Sequence, residues 1–453
     1  MNVVSDPQSL SKQDLVALVY DLQRQIHALQ QENQRLLERL NPPKKKFFRL
    51  PLLNRRSKRP GQKPGHPGVT RATPKRIDRV VEQTLTNCPR CHTRLGSSVE
   101  VTEHLQEDLI PARVEVTCFK RHRYYCSGCQ EVLTAPYAPE EIPHSDLGPQ
   151  VLTQAVLLKY VHGLPFNKIR LCFQQMGDNL TVSEGALAQA LPRVARWLDV
   201  ETQELLKSIR ASPATHVDET GWKVTGVNHW LWAFVTDRIA YYRIDRSRGS
   251  VVPKEILGEG YKGIVVSDFY SAYNRLKVRQ QKCWVHLLRE LREIAKSDPS
   301  QEFRAAHRAL RRIFLDARRL ARTRHRLPAI TVLHRHRLLD ERLLAWGAAP
   351  YRSKTLRRLS ARILKHHHQL LTFLKVRGLP WENNQAERLI RPNVIIRNRS
   401  YQSRSPQGAA THSALMSLVQ TLTLQGRSVG ETLKSAYLAH RHGDLTPVVV
   451  SQR

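Results

Sequence analysis

The chain has 453 residues, more than the roughly 100 to 200 of an ordinary domain, so several domains are predicted. Its 73 Lys and Arg residues against 39 Asp and Glu residues give a formal charge of +34, which requires a polyanionic partner and favours nucleic acid over a membrane surface. The sequence has no run of about 18 apolar residues and no signal-peptide pattern, which predicts a cytoplasmic protein without membrane contacts.

The first segment, residues 8–40, has the pattern of a coiled coil. Its seam residues alternate in steps of four and three: Leu15, Val19, Leu22, Ile26, Leu29, Asn33, Leu36 and Leu40. A heptad seam with one Asn at an a position is typical of a parallel two-stranded coil and predicts a homodimer or higher homo-oligomer, or pairing with a partner helix. The alternative is an amphipathic helix packed on its own protein, because fewer than four heptads are marginally stable alone.

Residues 41–80 form a Pro- and Gly-rich segment that contains 13 Lys and Arg residues but only one acid, Asp78. Pro and Gly at this density cannot build a packed core, so an extended arm or a plain linker is predicted. Basic residues on such an arm can follow the phosphates of double-stranded DNA or enter a minor groove. The candidate DNA-binding residues of the arm are Lys44, Lys45, Lys46, Arg55, Arg56, Arg59 and Lys63.

Residues 81–140 contain two cysteine pairs, Cys88/Cys91 and Cys126/Cys129. Two such knuckles on hairpins supply four thiolates in tetrahedral geometry, which predicts a zinc ribbon with a structural Zn²⁺ ion. The spacing suits metal ligation in a reducing compartment better than disulfides, and the second pair argues against haem attachment at Cys-Pro-Arg-Cys-His. The metal would supply most of the folding free energy of so small a unit.

Residues 145–210 have helical periodicity, with two short helices expected at 167–176 and 183–191. Ser183 is placed as the N-cap of the second helix, and Pro192 is expected to kink or end it. Two short helices around a tight turn suit a DNA-binding helix-turn-helix, and a plain helical bundle is an equal alternative.

Residues 211–296 follow the order β-β-β-α-β of an α/β sandwich, and residues 378–440 continue it after an interruption. The interruption, residues 297–377, reads as helix and carries 20 Lys and Arg residues against five acids. It is predicted to be an insertion whose basic face contacts DNA, with a merely solvated face as the alternative.

Three acids in these segments are candidates for catalysis. Asp218 lies in a short strand and Asp268 ends an apolar strand, where the ligands of open sheets tend to gather. The third acid comes from the helix after the insertion, where Glu387 is favoured over Glu382 because a helix positions an acid more reproducibly than a loop. Each acid could instead cap a loop or a helix.

Three convergent carboxylates suit Mg²⁺ or Mn²⁺, which take oxygen ligands and phosphate oxygens. Such ions would support phosphodiester cleavage followed by strand transfer. Two basic residues three positions apart on the same helix could hold phosphate near the metal ions, or pair with acids within the helix: Arg388 and Arg391.

At these motifs the chain closely resembles the IS66 family of insertion-sequence transposases. The matching stretches are His-Val-Asp-Glu-Thr-Gly-Trp at 216–222, Ser-Asp-Phe-Tyr-Ser-Ala-Tyr at 267–273, Cys-Trp-Val-His at 283–286 and Asn-Asn-Gln-Ala-Glu-Arg at 383–388. The zipper, the Lys-Pro-Gly-His-Pro-Gly run, the paired cysteines and the helical segment occur in the family's order. Nearly the whole chain is therefore covered.

The resemblance implies an α/β RNase H-like catalytic core with a helical insertion, preceded by a coiled coil, a zinc ribbon and a helical DNA-binding domain. It implies a transposase that binds terminal inverted repeats, with a DDE triad of Asp218, Asp268 and Glu387, and accessory proteins of the element. The family often has Asp or Thr where this chain has Glu382. Its Cys-x-x-His feature, Cys283 and His286 here, is interpreted as structural support beside Asp268. A non-catalytic DNA-binding regulator is the alternative function.

Overall fold

The computed structural model describes residues 13, 19–21, 23–32, 76–87, 89–97, 101–102, 104–106, 113–176 and 180–450. The chain divides into two compact units, residues 1–107 and residues 108–453. The seven candidate DNA-binding residues of the predicted arm and Cys88 of the first cysteine pair lie outside the described residues. Within the described ranges, no helix is both long and apolar enough to cross a bilayer.

In the first unit, residues 19–21 and 23–32 are helical, as the heptad pattern predicts. Three residues of the predicted seam, Val19, Ile26 and Leu29, are 52%, 55% and 66% exposed. More than half of the surface of each of these three apolar side chains is therefore exposed. Further along the unit, an antiparallel bridge joins Asn87 and Arg94 around a tight turn.

The second unit opens with an antiparallel hairpin, β1 (Arg123–Cys126) and β2 (Glu131–Thr134). A helical region follows. Its helices are α1 (Pro149–Val156), which continues as a π-helix over Leu157–Val161, then α2 (Phe166–Gln175), α3 (Glu184–Trp197) and α4 (Asp199–Ala211).

The predicted boundaries of helix α3 are right at its start and wrong at its end. The Ser183 side chain accepts a hydrogen bond from the Ala186 N–H at 3.0 Å, so it is the N-cap that the sequence predicts. The helix does not end at Pro192 but continues to Trp197. Burial of its apolar face on both sides of the proline outweighs the loss of one backbone hydrogen bond.

A five-stranded mixed sheet in the order β5-β4-β3-β6-β7 forms the centre of the unit. Its strands are β3 (Ala214–Val224), β4 (Val227–Val235), β5 (Ala240–Asp245), β6 (Ile264–Ser267) and β7 (Arg279–Lys282), with helix α5 (Val251–Leu257) between β5 and β6. Strands β3, β4 and β5 are antiparallel neighbours, whereas β6 pairs in parallel with both β3 and β7. The sequence does not predict β7, because Arg-Gln-Gln-Lys lacks β-branched and aromatic residues.

Strand β6 separates two hydrophobic cores, because successive side chains point to opposite faces of a sheet. Val265 belongs to the first core, and Ile264 and Val266 belong to the second. The second core is completed by helices α6 (Trp284–Ser297), α7 (Gln301–Thr323), α8 (Ala329–Ala348), α9 (Lys354–Leu370) and α10 (Thr372–Lys375). The helical segment predicted as an insertion therefore shares its core with the sheet.

Helices α11 (Asn384–Ser400), α12 (Pro406–Leu424) and α13 (Val429–Arg441) complete the unit. Helix α12 covers the outer edge of the sheet at β5. Its hydroxyl side chains at Ser413, Ser417 and Thr421 accept hydrogen bonds from three backbone N–H groups of β5, at 2.8 to 3.1 Å. This pairing satisfies N–H groups that an edge strand would otherwise expose. Exposed N–H groups of this kind can pair with a strand of another chain and lead to aggregation.

Candidate active site and metal-binding residues

Asp218 lies within β3 and Asp268 directly follows β6, and these two neighbouring strands pair in parallel. The parallel register pairs His216 of β3 with Val266 of β6, and each acid stands two residues further along its strand. Both carboxyl groups are half-buried, so they are held by the fold and still open to a ligand. The two acids therefore lie side by side just beyond the parallel pairing of β3 and β6. For Asp268 this is the carboxyl end of its strand, where open α/β sheets bind ligands.

Asp218 is electrostatically coupled to several acids. Burial, the first cause, and the negative charges of Glu219, Asp268 and Glu387 raise the pKa of Asp218 to about 7, against a backbone hydrogen bond from Glu219 that lowers it. The three candidate acids therefore share one electrostatic environment. A cation between them would favour the ionised form of Asp218.

Glu387 lies in the first turn of α11 and its side chain reaches α6. Its Oε1 is 3.3 Å from His286 Nε2 and its Oε2 is 3.5 Å from Arg289 NH2. The approach to His286 lacks hydrogen-bond geometry, and Oε1 is buried without a hydrogen-bond partner among the described residues. Glu382 precedes the helix and is not among the acids that perturb Asp218.

Asn383 links the helix of the third acid to the strands of the first two. It is fully buried; its Oδ1 lies 3.0 Å from His216 Nδ1, and its Nδ2 donates to the Val217 carbonyl at 2.9 Å. Its N–H donates to Cys283 Sγ at 3.2 Å, and the Cys283 N–H donates to the Ser267 carbonyl at 2.9 Å. The Cys-x-x-His feature thus supports the α11 helix as well as the Asp268 strand.

Sequence reasoning missed a fourth acid, Glu219, as a residue of this site. Its side chain is 3% exposed, its Oε2 accepts a short hydrogen bond from the Tyr273 hydroxyl, and its Oε1 accepts from Arg248 Nε and NH2 at 3.2 and 3.0 Å. Burial raises the pKa of Glu219 above its usual value, although the contacts with Tyr273 and Arg248 lower it in part. The only local signal is its position next to Asp218.

The chemistry of Asp218, Asp268 and Glu387 fits a hard divalent cation. They offer carboxylate oxygens, the donors that Mg²⁺ and Mn²⁺ prefer, and one oxygen of Glu387 is buried without a hydrogen-bond partner in the described part of the chain. No three His, Cys, Asp or Glu side chains among the described residues are spaced closely enough to hold a metal ion. Binding would therefore draw the three carboxylates closer together.

The second cysteine pair lies at the turn of the β1–β2 hairpin. The backbone of Cys129, its side chain, and then the backbone of Gly128 hydrogen-bond to Cys126 and lower the pKa of the Cys126 thiol. These donors favour the thiolate, which is the form that binds zinc. In the first unit, Cys91 lies in the turn between Asn87 and Arg94.

Arg388 and Arg391 are both exposed on α11. Two turns later on the same helix, Arg397 NH1 donates to Thr220 Oγ1 at 3.0 Å and to the Gly221 carbonyl. Helix α11 is thus held against β3 just beyond Asp218, while its first two arginines stay open to solvent.

A mixed α/β domain with a five-stranded sheet and many helices fits a transposase domain. The model of the family described as "Transposase IS66 family" matches residues 144–411, more than half of the chain. The chain therefore belongs to the IS66 family of transposases. The match includes all three candidate acids and the helical insertion.

Two relatives come from Sinorhizobium fredii (strain NBRC 101917 / NGR234). The uncharacterized protein y4qI is 25% identical over 354 residues, which cover 70% of this chain and 64% of that protein. The uncharacterized protein y4hP is 25% identical over 264 residues, which cover 52% of this chain and 45% of that protein. The chain thus spans less than two-thirds of either relative, and neither name states an activity.

Proposed function

We propose that the protein is a DNA transposase that binds the terminal inverted repeats of its element, cleaves the DNA there and joins the ends to a target. The observation that carries this proposal is that Asp218 and Asp268 lie side by side within the matched family domain, where the charge of Glu387 also raises the pKa of Asp218. Three antiparallel strands followed by two parallel ones, with the acids on β3, after β6 and on α11, support an RNase H-like core with a DDE triad.

The chain's own residues would orient these acids. Mg²⁺ or Mn²⁺ bound by them would activate a water or a 3′-hydroxyl and stabilise the leaving oxygen. The Glu219 N–H donates to Asp218 Oδ1 at 3.0 Å, and the Tyr270 N–H donates to Asp268 Oδ1 at 2.8 Å. These bonds fix one oxygen of each aspartate, and among the hydrogen bonds of the described residues the other oxygen stays open to a ligand.

The outer face of α7 supports a DNA-binding role for the helical insertion. Opposite the buried face of this helix, five exposed arginines follow helical spacing: Arg304, Arg308, Arg311, Arg319 and Arg322. At 1.5 Å per residue the row is about 27 Å long, enough to follow several phosphates of a duplex. Arg388, Arg391 and the predicted arm would add further phosphate contacts.

The remaining proposals concern assembly and the N-terminal regions. The exposed apolar seam at residues 19–32 supports a homodimer or higher homo-oligomer through the zipper. The hairpin carrying Cys126 and Cys129 supports a zinc ribbon over residues 81–140. Helices α2 and α3 would form the DNA-binding helical domain, and family membership suggests accessory proteins of the element.

Replacing Asp268 tests the proposed chemistry. With Mg²⁺ and a labelled duplex carrying the terminal repeat, the wild-type protein should nick the DNA. Asp268→Asn should lose about 10³-fold or more in cleavage rate, the scale of a lost charge-stabilising group, while binding the duplex normally. Asp237→Asn, which changes an exposed acid between β4 and β5, is the matched control. Cleavage by Asp268→Asn at the control rate would contradict the assignment of Asp268 to catalysis. If the wild-type protein bound DNA without any metal-dependent cleavage, the result would favour a non-catalytic DNA-binding regulator.

Metal analysis of purified protein tests the zinc proposal. The wild-type protein should contain about one zinc ion per chain, since a ribbon site uses four thiolates. Cys129→Ser should lose most of this zinc, whereas Cys172→Ser, which changes a half-buried cysteine outside the two pairs, should retain it. Equal zinc content in the wild-type and Cys129→Ser proteins would contradict the proposal.

A further inference from the structure

Arg248 is held rigidly in the loop between β5 and α5. Its guanidinium carbon lies 4.2 Å from the ring centroid of Trp230 and 4.2 Å from that of Tyr270. Its Nε and NH2 donate to Glu219 Oε1 at 3.2 and 3.0 Å. Both contacts with aromatic rings and the contact with the carboxylate restrict the side chain to one position.

The groups that hold Arg248 also contact the two candidate aspartates. Glu219 directly follows Asp218 in β3 and donates its N–H to that carboxylate. Tyr270 donates its N–H to Asp268 and its hydroxyl to the Arg248 carbonyl at 3.0 Å. The guanidinium is therefore linked to Asp218 through Glu219 and to Asp268 through Tyr270.

Neutralisation of Glu219 does not account for every donor of Arg248. The Arg248 side chain is 42% exposed, whereas that of Glu219 is 3% exposed. Among the hydrogen bonds of the described residues, those of this guanidinium use Nε and NH2 and leave the NH1 edge available. A planar cation with an open edge matches two oxygens of a phosphate.

We propose that Arg248 binds a backbone phosphate of the DNA that lies at the Asp218–Asp268 pair. The inference rests on the proposed function, because it takes DNA as the ligand of this site. The aromatic pair and Glu219 fix the cation before DNA arrives, so little side-chain entropy is lost on binding. Arg248 is a DNA-binding residue in this proposal, distinct from the carboxylates that would hold the metal ions.

The salt dependence of DNA binding tests this contact. Full-length protein is titrated against a labelled duplex of generic sequence, without divalent cations, at several salt concentrations. Each phosphate contact contributes about 0.9 to the slope of log K against log salt concentration. Arg248→Gln should reduce the magnitude of the slope by about that amount and weaken binding roughly tenfold at low salt.

A double variant separates phosphate binding from support of the fold. Arg248→Gln leaves Glu219 buried and unpaired, which alone could disturb the site. Arg248→Gln/Glu219→Gln removes that charge as well, and it should keep the reduced slope. A wild-type slope in the double variant would overturn the proposal, because the arginine would then only neutralise Glu219.

Arg243→Gln is the matched control for loss of one positive charge. Arg243 lies on β5, is 46% exposed and is 3.8 Å from Asp245, so its setting is similar apart from the aromatic pair. The salt-dependence slope of Arg243→Gln should match that of the wild-type protein. A reduction of the slope in Arg243→Gln as large as that in Arg248→Gln would also overturn the proposal. If the wild-type protein bound no DNA, the proposed function would fail. If it bound DNA and the slope of log K against log salt concentration did not depend on Arg248, only this inference would fail.

Discussion

Glu387→Gln is expected to reduce metal-dependent DNA cleavage about 10³-fold or more, which is the scale of a lost charge-stabilising group. Glu382→Gln should instead cleave DNA at close to the wild-type rate. Glu387 perturbs the pKa of Asp218 and has a buried oxygen without a hydrogen-bond partner in the described part of the chain. Glu382 precedes the helix and is not among the acids that perturb Asp218. Initial cleavage rates of a labelled terminal-repeat duplex give the comparison.

The two variants make the same chemical change five residues apart, so each is the control for the other. Thermal unfolding and DNA affinity should be unchanged in both, which separates catalysis from folding and binding. A reversed result, with cleavage lost in Glu382→Gln and retained in Glu387→Gln, would transfer the third position of the triad to Glu382. Loss in neither variant would contradict a carboxylate trio.

Glu201→Gln is expected to lower the free energy of unfolding of the second unit by about 3 to 5 kcal/mol, the cost of breaking a buried pair. Glu201 is fully buried in α4, and its Oε1 lies 3.0 Å from His440 Nε2. The same carboxylate accepts the N–H groups of Val448 and Val449 at 2.6 and 2.9 Å. A glutamine would direct an amide NH₂ at groups that are themselves donors.

Glu204→Gln is the matched control for this prediction. Glu204 lies three residues later in α4 and pairs with Lys207 at 3.1 Å on the surface, where its side chain is 30% exposed. Surface pairs of this kind contribute about 0 to 1 kcal/mol, so the control should unfold like wild type. Chemical denaturation followed by circular dichroism measures both variants. A loss in Glu201→Gln no larger than that in Glu204→Gln would show that the buried pair does not stabilise the fold.

Wherever a signal is local, the sequence predicts the structure of this protein well. Ser183 caps its helix because an N-cap needs only the three residues that follow it. Strand patterns of apolar residues predict β3 to β6, and the end of β6 places Asp268 at a ligand-binding edge. Helical spacing likewise predicts the exposed basic face of α7. The motif around Glu387 predicts the third acid, and the same residues carry the resemblance to the family that the chain belongs to.

Tertiary structure alone decides the contacts between distant segments. His216 and Asn383 are 167 residues apart, and Arg248 and Glu219 are 29 apart, yet each pair meets at the site. Strand β7 is polar and forms because β6 offers a parallel partner, and α3 continues through Pro192 because its flanking face is buried. Periodicity and capping act over a few residues, whereas these outcomes depend on which surfaces pack together. The sequence by itself therefore determines the helices and most strands and predicts the three candidate acids. Packing determines how Asn383, Glu219 and Arg248 are placed around them.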